Sequence, residues 1–320
     1  MLGAMAAAPK QLTTEVDGQT MKLTNLGKVL YPEVGFTKAE VIDYYLQVAP
    51  QLLPHLSDRP LTRKRWPDGT GAAYFFEKNA PRGTPDWVRT VTLPTPGSST
   101  GRDEADFVIA DDIQTIVWLA NLAALELHVP QWRIGLSDTG KTPHADLVVF
   151  DLDPGPGATV VDCCDVALAL RELLSHYGME GWPKTSGNKG MHLYVPIEPA
   201  PSRDASAFAK QLAEQLAEAL PENVTANMTK ALRPGKVFID WSQNASAKTT
   251  LAPYSLRGAE EPRVSTPIDW DEVAAATDPA ELTFLPADVL ARIEEYGDIL
   301  EGLYDDPKPL PSSTRGARAR

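Results

Sequence analysis

The chain has 320 residues, 43% of them hydrophobic, enough for one large domain or two lobes with the make-up of a globular protein. No run reaches the ~20 apolar residues of a membrane span, and no signal-peptide pattern opens the chain. The two cysteines, Cys163 and Cys164, are adjacent, which offers neither a disulfide framework nor zinc-ligand spacing. These features favour a cytoplasmic protein with no membrane partner. The net charge of −13 disfavours nucleic acid as a bulk number, but it is unevenly spread. Residues 260–306 hold 14 acids against 2 bases, while residues 308–320 hold 4 bases and no acid. Basic clusters stand apart from that acidic flank, at Arg63-Lys64-Arg65, at Lys184 with Lys189, and at Lys230, Arg233 and Lys236. Binding follows the local field at a site, not the sum over the chain.

Residues 1–20 read as a flexible leader, and Met21 to Asn25 opens the fold. Thr37 reads as an N-cap to an amphipathic helix over 38–53, with Val41, Tyr44, Tyr45 and Val48 on one stripe. Short strands over 61–66 and 72–77 flank a Pro67-Asp68-Gly69 turn. Residues 96–103 read as an exposed loop. A helical apolar period runs from Asp112 to Leu127, and a second helix from Asp162 to Tyr177. A strand over 190–196, a helix over 205–220 and a disordered tail over 307–320 complete the chain. Strands and helices alternate without repeats, which predicts an α+β fold, mixed with α/β features, whose sheets are flanked by helices.

Two stretches carry chemistry. Leu147-Val148-Val149-Phe150 is a buried-strand pattern that ends in Asp151-Leu152-Asp153-Pro154. Side chains two apart on a strand share a face, and two adjacent carboxylates repel unless a cation lies between them. The same pattern also serves simply to end a strand with a turn. A third acid, Asp240, closes the strand-like run Val237-Phe238-Ile239. Three carboxylates on two strands suit two hard divalent ions, the arrangement of in-line phosphoryl transfer. The second stretch, Lys184-Thr185-Ser186-Gly187-Asn188-Lys189-Gly190-Met191-His192, joins small residues to cationic donors just before a strand. Small residues let backbone approach phosphate, though an ordinary turn with a surface lysine reads the same way. A Walker loop is absent.

Together, the Asp-x-Asp pair, the Ser-Gly-Asn-Lys-Gly-x-His loop and Asp240 resemble the archaeo-eukaryotic primase superfamily, and within it the polymerase domain of bacterial end-joining ligase D. Further strings support this, in order: Lys28-Val29-Leu30-Tyr31-Pro32, Thr62-Arg63-Lys64-Arg65-Trp66-Pro67, Phe75-Phe76-Glu77-Lys78, Leu125 to Trp132, Asp240 to Asn244 and Lys248 to Arg257. The resemblance covers about residues 21–300, a single primase-polymerase domain. No Lys-x-Asp-Gly ligase motif occurs, which leads to the expectation of a stand-alone primase-polymerase of the actinobacterial kind.

The resemblance implies roles. Asp151, Asp153 and Asp240 would be the catalytic metal ligands, holding two Mn²⁺ or Mg²⁺ ions. Ser186, Lys189 and His192 would take nucleotide phosphates, with Lys248 and Arg257 completing the cradle and Lys64, Phe76 and His128 also at the nucleotide. Asn25, Lys28 and Lys38 would form the pocket for a DNA 5′-phosphate, and Arg63, Phe75 and Arg233 would meet DNA or template. Because adjacent strand residues face opposite ways, one of Phe75 and Phe76 is expected to stack and the other to pack. The implied activity is a nucleotidyltransferase that fills short gaps in nucleoid DNA, taking NTPs in preference to dNTPs. Ser186 or His128 would contact the 2′-hydroxyl. Its partners would be gapped or broken DNA bearing a 5′-phosphate, a separate ATP-dependent ligase, and Ku where ends are joined. A de novo primase and a non-catalytic end-bridging factor are the alternative readings.

Overall fold

A computed structural model describes residues 11–95, 101, 103–136 and 143–311. The chain opens on a hairpin, β1 (Gln11–Val16) and β2 (Gln19–Thr24), turned at Asp17-Gly18 with both φ positive. The expected leader is therefore ordered from residue 11, because Met21 and Leu23 bury their side chains in the core. Residues 1–10 lie outside the described set. A small pair follows, β3 (Val29–Tyr31) and β4 (Phe36–Thr37), leading into α1 (Lys38–Leu56). Thr37 caps α1 as expected: its hydroxyl accepts from Glu40 N while the Glu40 carboxylate accepts from Thr37 N at 2.6 Å. Tyr44 and Tyr45 on the buried stripe donate hydroxyl protons to the Tyr254 and Leu125 carbonyls, at 2.8 and 2.6 Å.

Then come β5 (Thr62–Arg65), β6 (Phe75–Glu77), β7 (Thr90–Pro94), β8 (Glu104–Val108), α2 (Ile113–Asn121) and β9 (Ala124–Val129). The expected helix over 112–127 thus splits. Ala123 adopts φ +56°, and the apolar run beyond it becomes a central strand between β5 and the later β15. A short apolar run carries no period that separates buried strand from buried helix. The expected loop 96–103 falls almost wholly outside the described residues.

The second half of the chain follows, with β10 (His144–Pro154), α3 (Val160–Ser175), β11 (Trp182–Thr185), β12 (Met191–Pro201), α4 (Ser202–Ala219), β13 (Val224–Thr225), β14 (Val237–Asp240) and β15 (Thr250–Leu251). α5 (Trp270–Ala275) and α6 (Pro286–Tyr296) close the order. Two sheets matter for function. One runs β11-β12-β10-β14-β13, antiparallel except for the β13–β14 pair. The other runs β15-β9-β5-β6, antiparallel throughout. The apolar residues of β10, α3 and α4 join those of α1, α2 and β9 in one continuous core.

The acidic segment is more than a solvated outer layer. Val264, Ser265, Thr266 and Ile268 are buried, and Thr266 O accepts from Thr185 N at 2.8 Å beneath the Ser-Gly-Asn-Lys loop. The tail is also ordered at its start, where Lys308 O accepts from Glu198 N at 2.9 Å. Residues 312–320 lie outside the described set.

Candidate active site

Sheet register assembles the site. On β10, Asp151 faces His192 of β12 on one side and Asp240 of β14 on the other. Asp153 follows two residues later on the same face of β10, opposite Phe238. Burial raises Asp151 to about 7, and the Asp240 charge adds to the shift. Asp153 is likewise raised to about 7 by burial and then by the charges of Asp151 and Asp240. Such a pair is held at a cost that a bound cation relieves. His192 Nε2 lies 3.2 Å from Asp151 Oδ1. Its Nδ1 is buried without a partner among the described residues, and burial lowers its pKa well below the usual value.

Asp240 sits differently. Its Oδ1 accepts from Ser242 N and Oγ, and its Oδ2 accepts from Gln243 Nε2 at 2.9 Å, so both oxygens are engaged in capping the turn after β14. Among the described residues no group of three His, Cys, Asp or Glu side chains is arranged to hold a metal ion. The β10–β14 register sets the three carboxylates expected on two strands beside one another, with Asp240 also engaged in its own turn.

A cavity of about 490 Å³ opens over this pair. Asp151, Asp153, Ser186, Lys189, His192, His128, Arg233 and Arg257 line it together. Ser186 Oγ accepts from Asn188 N and Gly190 N, at 3.3 and 3.2 Å, which folds the loop tightly. Gly190 has to be glycine: a Cβ there would meet Leu152 O at 2.1 Å. Gly187 turns the loop at φ +69°. Across the mouth, Gly155 allows the Arg233 carbonyl an approach that a Cβ would narrow to 1.9 Å. The Arg233 guanidinium stacks 3.7 Å from the Phe238 ring centroid and donates to Met228 O at 3.2 Å.

The second sheet supplies the other wall. Lys64 of β5 stands opposite Phe76 of β6 and Glu126 of β9. Its ammonium lies 4.1 Å from the Tyr74 ring centroid, 4.7 Å from Trp66 and 5.6 Å from Phe76. Glu126, absent from the residues singled out in the sequence, is buried at the centre of this wall. It and His128 share a face because they lie two apart on a strand. The helical reading of 112–127 hid that spacing.

Several expected roles need correction. Arg63 is fully buried; it pairs with Glu77 at 3.1 Å and donates to Asn79 O at 2.6 Å, so it cannot meet a template from this position. Phe75 and Phe76 are both exposed, at 43 and 59%. β6 is a three-residue edge strand, and neither face is covered at these positions. Lys248 is exposed and outside the cavity lining, whereas its neighbours Thr249 and Thr250 line it.

Asn25, Lys28 and Lys38 gather separately. Asn25 adopts φ +52° and accepts from Lys28 N at 2.9 Å, while Lys28 O accepts from Lys38 N at 2.8 Å. The Lys28 ammonium pairs with Asp68 at 2.7 Å. The Lys38 ammonium donates to Thr24 O at 2.7 Å, and burial, then the charges of Lys28 and Arg65, lower its pKa to about 8.

Comparison with known proteins shows the family and the fold. The family model described as LigD, primase-polymerase domain, matches residues 37–300. The chain belongs to the LigD primase-polymerase domain family. The multifunctional non-homologous end joining protein LigD of Mycolicibacterium smegmatis is 48% identical over 290 residues, covering 90% of this chain and 36% of that protein. The corresponding Mycobacterium tuberculosis DNA repair protein is 45% identical over 307 residues, covering 94% and 39%. A bifunctional LigD of Bacillus subtilis is 33% identical over 295 residues, covering 92% and 46%. The chain thus spans less than half the length of these relatives. The polymerase domain of Mycobacterium tuberculosis ligase D, solved in complex with DNA, superposes with a TM-score of 0.82 at 45% identity, covering 89% of this chain and 98% of that one. The mixed helix-and-sheet fold expected from the sequence is therefore the LigD polymerase fold.

Proposed function

We propose that the chain is a template-dependent nucleotidyltransferase that fills short DNA gaps carrying a downstream 5′-phosphate, in repair of broken or excised DNA. The observation that carries this reading is the convergence of Asp151 and Asp153 with Ser186, Lys189, His192 and Arg257 on one cavity, in a chain of the LigD primase-polymerase family.

The raised acid pair fits a hard divalent cation, and Asp151 and Asp153 would hold it, with Asp240 adding charge from β14. Two such ions, Mn²⁺ or Mg²⁺, would activate the primer 3′-hydroxyl and neutralise the leaving pyrophosphate. The protein's own part is positioning. Ser186, Lys189 and His192 hold the β- and γ-phosphates, His192 Nε2 facing Asp151 while its buried Nδ1 has no partner among the described residues. Arg257 completes the cradle, and Phe76 offers an exposed ring on which a base stacks, worth ~1–3 kcal/mol. Asn25, Lys28 and Lys38 capture the 5′-phosphate, Lys28 exchanging a solvent-exposed Asp68 for it. Ribonucleotides are preferred over deoxyribonucleotides, the 2′-hydroxyl being met by His128 or Ser186 at the cavity wall. The enzyme works in the cytoplasm on the nucleoid, beside an ATP-dependent ligase and, where ends are joined, Ku. No described helix is long and apolar enough to cross a membrane.

Asp151→Ala tests the reading: primer extension is expected to fall by ~10²–10³-fold, the scale of losing a principal charge-stabilising group. Binding of gapped DNA should persist. Normal extension by that variant would remove Asp151 and its metal-holding role from the reaction.

A further inference from the structure

Four groups of the nucleotide wall converge on one carboxylate. Glu126 Oε2 lies 2.8 Å from His128 Nε2, while Oε1 accepts from Gly258 N at 3.0 Å. The Lys64 ammonium is 3.5 Å from Oε1 and Arg257 Nε is 3.7 Å from it. The side chain is 1% exposed. Gly258 reaches it only because it has no Cβ, which would collide with the Trp66 ring at 2.1 Å. Burial tends to raise the Glu126 pKa, but the His128 hydrogen bond, then Arg257 and Lys64, hold it at about 2. Burial lowers the His128 pKa against the same partner.

An ionised Glu126 beside a neutral imidazole settles the tautomer. The Nε2 proton points at the carboxylate, and Nδ1 is left as an acceptor. Lys64 comes from β5, His128 from β9 and Arg257 from the chain after β15. Nothing else among the described residues joins all three.

We propose that Glu126 is a positioning residue of the nucleotide cradle. It aims Lys64 and Arg257, docks the Gly258 backbone, and fixes His128 as an Nε2-protonated ring with an acceptor Nδ1. The proposal rests on the reading that the cavity takes a nucleoside triphosphate. It is distinct from simple charge balance, and the sign of the effect separates the two. Removing a carboxylate that only balances charge makes the cradle more positive, and a triphosphate then binds more tightly. Removing one that positions the cations loosens binding despite the added positive charge.

The test is steady-state gap filling with ATP, as the nucleotide whose concentration is varied, by the unmutated enzyme, Glu126→Gln and Glu126→Asp. Gln removes the charge at constant shape; Asp keeps the charge and withdraws the oxygens by one methylene. Both are expected to raise KM for the nucleotide about tenfold or more, the scale of one charge-assisted hydrogen bond, with a smaller change in kcat. A KM that falls in Gln and is unchanged in Asp would overturn the proposal. So would a lower melting temperature with KM unchanged. A second readout needs no substrate: long-range ¹H–¹⁵N spectra of the histidine rings in the free enzyme. His128 should be protonated at Nε2 in the unmutated chain and lose that preference in Gln; identical tautomers in both would overturn the proposal. Because the spectrum is read without nucleotide, it decides the role of Glu126 even if the unmutated enzyme extends no primer.

Discussion

Gly190→Ala probes the seam between the phosphate loop and the acid strand. The added methyl would lie 2.1 Å from Leu152 O, so one side must retreat by roughly 1 Å to restore an ordinary contact near 3.4 Å. The obstacle is backbone of β10 between Asp151 and Asp153, which cannot swing away as a side chain could. Gly190 N and O also hold Ser186, through bonds of 3.2 and 2.9 Å. The loop is therefore the part that moves. Overpacking of this kind costs ~1–3 kcal/mol, or a melting temperature lower by roughly 2–4 °C per kcal/mol in a chain of this size. The effect on chemistry is larger, since a displacement of about 1 Å in a positioned group costs ~10²-fold. Thermal melts and single-turnover primer extension read the two effects separately, with 5′-phosphate-dependent DNA binding as the control for an intact fold. Extension within about threefold of the unmutated rate, beside a shift of roughly 10²-fold expected for such displacement, would refute the claim that this loop positions the reacting phosphates.

Lys28→Ala with Lys38→Ala should abolish the preference for gaps bearing a 5′-phosphate while leaving binding of 5′-hydroxyl gaps nearly unchanged; a preserved preference in a fluorescence-anisotropy titration would remove the pocket. The same preference should weaken as pH rises through about 8, because Lys38, lowered to about 8 by burial and the neighbouring charges, loses its proton there. Its folded pKa lies below its ordinary value of 10.5, so charging it opposes folding. This one group therefore favours the fold above about pH 10.5, and that contribution is lost as pH falls through about 8. Arg63→Met should lower stability, by up to ~3–5 kcal/mol if Glu77 is left without adequate compensation. It should leave the DNA affinity of the folded fraction unchanged, since the guanidinium is buried; a selective loss of template binding would restore the role expected from sequence.

Much of the site was legible because its chemistry is local in sequence. Asp151 and Asp153 share a face through strand alternation alone, and the loop from Ser186 to His192 carries its glycines and cations within seven residues. Thr37, as an N-cap, announced α1 in the same way. What was not legible depends on long-range pairing. Glu126 and His128 meet Lys64 only because β9 lies beside β5, and the helical period over 112–127 concealed that strand. Arg63 and Lys64 are adjacent and equally basic, yet one is buried and the other faces Glu126 and the Trp66 and Tyr74 rings, a difference set by which face of β5 meets the core. The ordering of residues 264–268 beneath the loop at 186–190 left no trace in an acidic segment, because it rests on main-chain bonds to Thr185 and Ser255.

The most direct measurement is primer extension on a duplex with a one- to three-nucleotide gap, comparing NTPs with dNTPs, Mn²⁺ with Mg²⁺ and a downstream 5′-phosphate with a 5′-hydroxyl. Templated addition that favours NTPs, Mn²⁺ and the phosphate is the predicted result. Tight binding to the gap with no extension under any of these conditions would contradict the polymerase reading and leave an end-bridging protein.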